Sequence, residues 1–374
     1  MKIAMLGHKR IPSREGGVEV VVEELATRMA ALGHQVVVYN RKEKKKSRLT
    51  CAKTSLKEYK NIKIIQIPTI EKGGWNALVY SVLASVHATF GKYDVIHYHA
   101  EGPCAMLWLP KLFGTRIIAT IHGLDWKRAK WGGLAKKYIK LGEKIAVKKA
   151  DQIIVLSENM KKYFYDTYKR ETVYLPNGLT VPKKRKVSVI RKQFGLEENR
   201  YILFLARIVP EKGVHYLIQA FKMCNTEKKL VIAGDCSHTS EYYKTIKKMA
   251  ETDPRIRMLG FVQGNILEEL FSNCSFYVLP SDVEGMPISL LEAMGYGRPC
   301  LISDIPENLE LAGQYAVSFK QGNVEDLKEK LQELLQRETT EQCASIAYVR
   351  EKFDWNVIVK ETLKVYQMQE KSHS

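Results

Sequence analysis

Short apolar runs alternate along the chain with longer stretches in which apolar residues recur at helical spacing. The runs occupy residues 3–6, 36–39, 62–67, 95–98, 117–121 and 153–156, and a second series occupies 201–205, 230–233, 256–259, 276–279 and 300–302. Runs of this length fit strands buried on both faces, and the intervening segments fit helices that cover them. The alternation predicts an α/β protein with two parallel sheets, each in its own Rossmann-like unit. Between the two series, Leu175-Pro176-Asn177-Gly178-Leu179-Thr180-Val181-Pro182 has the Pro/Gly/Asn punctuation of a linker. The boundary is therefore expected near Pro176, with one domain over 1–176 and the other over 177–354. Three helical segments, near 324–337, 341–352 and 355–369, close the chain with no strand between them. The last is free to pack outside the second domain.

Composition supports the division. A chain of 374 residues with 45% apolar content exceeds what one core usually organises, and each half can bury its own. No stretch of about 18 consecutive apolar residues occurs, and the first seven residues read as a strand rather than a signal peptide, which predicts a cytoplasmic protein. Seven cysteines (Cys51, Cys104, Cys224, Cys236, Cys274, Cys300, Cys343) lack metal-ligand spacing and read as reduced thiols. Charge is uneven: residues 1–185 hold 35 Lys/Arg against 15 Asp/Glu, and the rest hold 24 against 26. The basic excess of the first half suits an anionic partner such as a membrane surface, a polyprenyl-phosphate acceptor or nucleic acid, or else a soluble basic face. No nucleic-acid readout motif accompanies it. The run 42–48 (KEKKKSR) reads as an exposed loop.

In open α/β sheets ligands bind beyond the carboxyl ends of the strands, so the loops after each run hold the candidate chemistry. After the first strand, Gly16-Gly17 precede a helix starting near Val18. Glycines there let backbone N–H groups approach a phosphate, although plain turns also use them, and the loop is not the GxGxxG of a nicotinamide enzyme. In the second half, Arg207 and Lys212 flank a Pro-Glu turn after a strand, and together can grip a diphosphate or remain solvated. The most informative segment is Glu284-Gly285-Met286-Pro287-Ile288, leading into a helix that carries Glu292 among Leu290, Leu291, Ala293 and Met294. Pro287 fits the first turn of that helix. Glu292 is expected to be partly buried and to need partners, which sugar or ribose hydroxyls can supply; the alternative is a capping carboxylate and a solvent-facing one. His122, at a strand's end, either donates to a substrate oxygen or satisfies a neighbouring carbonyl. His97 and His99, two apart on one strand, are structural or line an acceptor cleft. The stretch 124–149 combines Trp126, Trp131, Tyr138, Leu141 and Ile145 with nine Lys/Arg, Arg128 and Lys130 among them. Either it lies on an anionic membrane or it docks an apolar stripe on the sheet.

Taken in order, Gly16-Gly17, His122-Gly123, Pro176-Asn177-Gly178, Ala206-Arg207…Glu211-Lys212-Gly213, Ala233-Gly234-Asp235 and Glu284-x7-Glu292 followed by Gly297-x-Pro299 resemble the retaining glycosyltransferases of family four. The first loop and Ser303–Asn308 are most similar to members that build bacterial capsule, exopolysaccharide or rhamnan chains. The resemblance implies the GT-B fold, two facing Rossmann-like domains with a C-terminal helix crossing back to the first, so that 355–374 joins 1–176. It implies that Arg207 and Lys212 hold the donor diphosphate, that Glu292 holds the ribose, and that backbone near Phe261-Val262 meets the base. Gly234 and Asp235 join that nucleotide site. Glu284 and the following Gly285, Met286, Pro287 and Ile288 would hold the donor sugar, with His122 contacting it from the first domain. A nucleotide-sugar donor (UDP-sugar favoured, dTDP-rhamnose or GDP-sugar as alternatives) and a glycan or polyprenyl-diphosphate-linked acceptor are implied, with no cofactor, metal or nucleic acid. The membrane's inner face is the place where such an acceptor would be met. Rival readings are a nucleotide-sugar epimerase or phosphorylase on the same fold, and a non-catalytic subunit assisting another transferase.

Overall fold

The computed structural model describes residues 1–42, 56–70, 75–127, 132–236 and 240–368. Residues 43–48 of the basic run, Cys51, Arg128, Lys130 and Trp131 lie outside these. The chain forms two compact units, residues 1–178 with 355–374 and residues 179–354.

Unit 1 holds eight strands: β1 (Lys2–Leu6), β2 (Gln35–Lys42), β3 (Glu58–Tyr59), β4 (Ile62–Pro68), β5 (Val95–His99), β6 (Arg116–Ile121), β7 (Gln152–Val155) and β8 (Val173–Tyr174). They order as β3-β4-β2-β1-β5-β6-β7-β8, parallel except for the β3–β4 pair. Unit 2 holds β9 (Tyr201–Leu205), β10 (Lys229–Ala233), β11 (Ile256–Gly260), β12 (Phe276–Leu279), β13 (Cys300–Ser303) and β14 (Val317–Phe319), ordered β11-β10-β9-β12-β13-β14 and wholly parallel. In each sheet the connections reverse direction at one point, between β1 and β5 in unit 1 and between β9 and β12 in unit 2. These are the places where loops diverge and leave a crevice for a ligand.

The cores follow from the apolar runs. Ala4, Leu6, Ile96, Tyr98, Ile117, Ala119 and Ile153 meet the helices after β4 to β7 in unit 1. In unit 2, alternate residues of β9 and β10 face two separate clusters, Leu203 and Val231 one and Ile202, Phe204 and Ile232 the other. A two-residue period splitting each run between two cores is what a sheet covered on both faces requires.

The terminal helix Trp355–Gln367 belongs to unit 1, where it packs on the helix Gly17–Ala31 and Arg28 donates to Asn356 Oδ1 at 3.1 Å. The break between units falls after Gly178 rather than at Pro176. Asn177 is buried, and a Cβ on Gly178 would stand 2.4 Å from the Trp355 indole, so the Pro-Asn-Gly segment is packed inside unit 1. The six described cysteines are free thiols. No helix among the described residues is long and apolar enough to cross a membrane.

Candidate functional site

In unit 2 the two loops at the switch point are held against each other. Gly213, with φ +64°, comes so close to the β12 loop that a Cβ there would stand 1.9 Å from Pro280 O. The Asp282 N–H donates to Glu211 O at 2.9 Å. This contact brings Lys212, in the 3-10 turn Pro210–Lys212, onto Glu284, whose Oε1 takes both the Lys212 ammonium and the Ser281 hydroxyl, the latter at 2.7 Å. Behind them Ser303 Oγ donates to Ser281 O, and Asn308 Nδ2 donates to Ser303 Oγ at 3.0 Å. Lys212 and Glu284, 72 residues apart in sequence, therefore form a mostly desolvated ion pair whose acid is fixed from a second side.

The β9, β10 and β11 loops are joined similarly. Ile208 N donates to Asp235 O at 3.1 Å, and Gly234 N donates to Gly260 O at 2.8 Å. At Gly234, φ is +143° and a Cβ would stand 1.8 Å from Ala206 O, so only glycine permits this approach. Arg207, Gly234, Asp235, Phe261 and Val262 thus gather along one edge with Lys212 and Glu284. Arg207, Phe261, Val262 and Met286 are half-buried, and Gly285 and Pro287 are buried. The helix after Glu284 runs Ile288–Gly295, with Pro287 as its extended cap rather than inside the first turn. Glu292 is half-buried among Leu290, Leu291, Ala293 and Met294, which are fully covered.

Unit 1 places Gly16, Gly17 and His122 at the carboxyl edge of its own sheet. The helix opens at Gly17, and its Glu19 carboxylate accepts from Lys9 N at 2.9 Å. A Cβ on Gly16 would stand 2.4 Å from Glu19 Oε2. The anion site read from Gly16-Gly17 is thus already furnished with a negative group of the protein's own, which makes this helix start better suited to a neutral, hydroxyl-bearing ligand than to a phosphate.

His122 belongs to a buried ladder whose members the sequence presents only singly. His97 Nδ1 lies 2.7 Å from Tyr366 OH and its Nε2 lies 2.7 Å from Thr120 Oγ1. His99 Nδ1 lies 3.1 Å from His122 Nε2, with the two rings stacked. His99 Nε2 finds no partner among the described residues. An orphaned lone pair costs less than an orphaned N–H, which assigns the His99 proton to Nδ1. His99 then donates to His122 Nε2, and His122 carries its own proton on Nδ1. Between His99 and the following acid, Ala100 takes φ +72° without being glycine, a strained backbone of the kind that clusters at functional sites.

The loop after His122 rests on two buried acids. Glu101 Oε2 accepts from Asp125 N at 2.9 Å. Glu143 Oε2 accepts from Trp126 Nε1 at 3.1 Å, and its Oε1 takes Tyr163 OH at 2.9 Å and Tyr168 OH. Burial, then the Asp125 and Glu143 carboxylates, hold the Glu101 carboxyl protonated far above the usual range. No spacing in the sequence links Glu101, Glu143, Tyr163 and Tyr168, and neither acid is among the residues that the sequence singles out. The same anchoring holds part of the stretch 124–149. Trp126 and Tyr138 are half-buried, and the helix Gly133–Lys149 docks Ile139, Gly142, Glu143 and Ala146 inward with its lysines outward.

The histidine ladder has a pH consequence. Burial lowers His97 to about 3, aided by His122, and lowers His8 to about 4; it lowers His99 well below the ordinary value, aided by His97. Unfolded, each titrates near 6.5, so between there and the folded value only the unfolded chain takes up the proton. Their contribution to stability is complete above about pH 6.5 and is lost as the pH falls. Glu101 acts in the opposite sense, but it is one group against three. Stability to urea is expected to fall between pH 7 and pH 5 by on the order of 1 kcal/mol per pH unit for each histidine not offset. An unfolding midpoint that stays flat or rises over this range would contradict the ladder.

The chain is similar to known proteins over both of its units. Residues 187–352 match the family model "Glycosyl transferases group 1" and residues 15–181 match "Glycosyltransferase Family 4", leaving only 182–186 between them. The chain is 26% identical over 365 residues to an uncharacterized glycosyltransferase of Methanocaldococcus jannaschii, with 94% of each covered. It is 27% identical to the Escherichia coli UDP-Gal:alpha-D-GlcNAc-diphosphoundecaprenol alpha-1,3-galactosyltransferase over 58% of this chain and 59% of that protein. Among solved structures, Anabaena HepE in complex with UDP and glucose is similar with a TM-score of 0.80 at 18% identity, covering 98% of this chain and 99% of that one. With two parallel-sheet Rossmann-like units of the GT-B class, a family 4 domain in the first half and a group 1 domain in the second, the chain belongs to the glycosyltransferases.

Proposed function

We propose that the protein is a retaining, metal-independent glycosyltransferase that moves a sugar from a nucleotide-diphosphate sugar, a UDP-sugar before dTDP-rhamnose or a GDP-sugar, to a glycan or polyprenyl-diphosphate-linked acceptor in bacterial surface polysaccharide synthesis. The observation that carries the reading is the Lys212–Glu284 pair at the switch point of unit 2. A lysine already paired with an acid is poised to change partners. When the diphosphate arrives, Lys212 and Arg207 take its charge, and Glu284, still holding Ser281, turns to the donor sugar's hydroxyls. Glu292 holds the ribose, backbone near Phe261 and Val262 meets the base beside Gly234 and Asp235, and Gly285 to Ile288 line the sugar. His122 contacts the donor sugar, and Gly16 and Gly17 lie on the acceptor side. The names of the relatives support a nucleotide donor and a lipid-linked acceptor: HepE was solved with UDP, and the Escherichia coli relative acts on a diphosphoundecaprenol.

In the transfer step the bond from the anomeric carbon to the diphosphate breaks as the acceptor hydroxyl attacks from the same face. The acceptor's proton passes to the departing diphosphate oxygen, and the preorganised cations stabilise that oxygen's charge. The work would be done at the inner face of the membrane, where such an acceptor resides. Incubating the protein with UDP-, dTDP- and GDP-sugars and a polyprenyl-diphosphate-linked acceptor, with mass spectrometry for product and NMR for anomeric configuration, tests this. Transfer with inversion, or none with any donor, would overturn it.

A further inference from the structure

The acid of the ion pair in unit 2 is held from behind by a line of buried groups that reaches into a third loop. Glu284 Oε1 takes the Ser281 hydroxyl at 2.7 Å as well as the Lys212 ammonium. The peptide that joins Ser281 to Asp282 is itself bonded at both ends. Its N–H, from Asp282, donates to Glu211 O at 2.9 Å, and its carbonyl, Ser281 O, accepts from Ser303 Oγ. The next carbonyl, Asp282 O, accepts from Gln321 Nε2 at 3.2 Å. Groups that follow β9, β13 and β14 therefore grip one turn of the β12 loop. A peptide fixed on both sides cannot rotate without abandoning two bonds at once.

The deepest member is Asn308, in the helix Pro306–Ala312 that follows β13. Its side chain folds back onto the strand end, where Nδ2 donates to Ser303 Oγ at 3.0 Å and to Ser303 O at 3.2 Å. The bond to Ser303 O only staples the residue's own turn. The bond to Ser303 Oγ has a further effect: a hydroxyl carries one proton, and because the amide donates to this oxygen, that proton goes to Ser281 O. Asn308 thereby aims the Ser303 hydroxyl at the β12 loop. Ser281, Ser303 and Asn308 are all fully covered, and Asn308 Oδ1 finds no partner among the described residues. An apolar side chain would fill the same space without burying an orphaned oxygen, so packing alone does not call for an amide here.

We propose that Asn308 and Ser303 are positioning residues for sugar transfer: through Ser281 they hold Glu284 with Oε1 toward the protein and its other carboxylate oxygen toward the donor sugar. The proposal rests on the reading of Glu284 as the sugar-binding acid and deepens it. Ser281 and Lys212 meet the same oxygen. When Lys212 moves to the diphosphate, Oε1 keeps Ser281, so the carboxylate does not swing after the departing ammonium. The direction of a carboxylate decides which sugar hydroxyl it can accept from, and misplacing a positioning group by about 1 Å costs on the order of 100-fold in rate. Asn308 and Ser303 touch no reacting atom and act through Glu284 alone.

The experiment combines melting and kinetics of the full chain carrying Ser303→Ala, Asn308→Leu or Glu284→Ala, and of the two double variants that add Glu284→Ala to each of the others. Ser303→Ala removes a single oxygen and keeps the test open should the larger change at Asn308 disturb folding. Without any substrate, the melting shifts of Ser303→Ala and Glu284→Ala should not add, the double variant differing from their sum by on the order of 2 °C or more. With the nucleotide-sugar panel and a polyprenyl-diphosphate-linked acceptor, Ser303→Ala and Asn308→Leu should each lower kcat about 10-fold while the donor KM stays within about twofold. Neither should slow transfer further once Glu284 is alanine. Additive melting shifts, an unchanged kcat in both single variants, or a full further loss on top of Glu284→Ala overturns the proposal. The melting cycle needs no substrate, so shifts that fail to add in a protein that transfers nothing sink only the functional reading. Additive shifts in an active enzyme sink only this one.

Discussion

Enzyme carrying Glu284→Ala or Lys212→Ala is expected to transfer sugar at about one-hundredth of the wild-type rate or less, a loss of roughly 2.7 kcal/mol in transition-state stabilisation. Each substitution removes one half of a pair that is nearly closed to solvent and is held by the Ser281 hydroxyl and by backbone contact between two loops. Lys212→Ala should raise the donor KM as well as lower kcat, because the diphosphate loses a point charge in ground state and transition state alike. Glu284→Ala should act mainly on kcat. Stability and activity should also part company. A single substitution takes the opposite charge away from a nearly covered partner, whereas Lys212→Ala/Glu284→Ala removes both charges, so the double variant should melt above at least one of the singles while transferring no faster than either. Near-wild-type transfer by both single variants would show that the pair only staples the loops together.

A second large effect is expected in unit 1. Glu143→Leu leaves the Trp126 indole N–H and the Tyr163 and Tyr168 hydroxyls without their acceptor in the interior. At about 1 kcal/mol or more for each orphaned donor, the loss is roughly 3 kcal/mol, or about 6–12 °C in thermal midpoint for a unit of this size. Glu143→Gln should lose less, because a carboxamide oxygen still accepts from the two tyrosines and only the indole is abandoned. Differential scanning calorimetry of the three proteins gives the order directly; a Leu variant as stable as the wild type would mean that the donors find water instead. Since Trp126 belongs to the loop that follows His122, the Leu variant should also transfer more slowly than its stability at assay temperature alone dictates.

Particular residues show how much of this is legible in the chain alone. The eleven apolar runs form strands because a strand buried on both faces needs a continuous run. β3, β8 and β14 leave no such mark: two or three residues carry no period, and Glu58-Tyr59 and Val173-Tyr174 pair only because a longer neighbour is already in place. The loops of the transfer site are legible because glycine, proline and charge after an apolar run are local signals. That Lys212 sits on Glu284 is not, since their meeting depends on β9 lying beside β12, a property of strand order. The same holds for Glu101 and Glu143, whose burial is set by helices distant in sequence that close around them. Glu19 at the start of its helix attracts no notice in the sequence, because an acid in a first turn is ordinary; only the close approach of its carboxylate to Gly16 gives it meaning.

The chain enters and leaves residues 179–354 through neighbours. Leu179 N donates to Phe353 O at 2.7 Å and Leu179 bridges Asp354, while on the other side of the break Gly178 touches Trp355. In genetic terms unit 2 is therefore a cassette inserted at a single point of unit 1. It can be lifted out and replaced by another of its kind with both splice points closed by contacts already present. Chimaeras that exchange one unit while keeping the other should be cut after Gly178 and before Trp355, not at the more conspicuous Pro176.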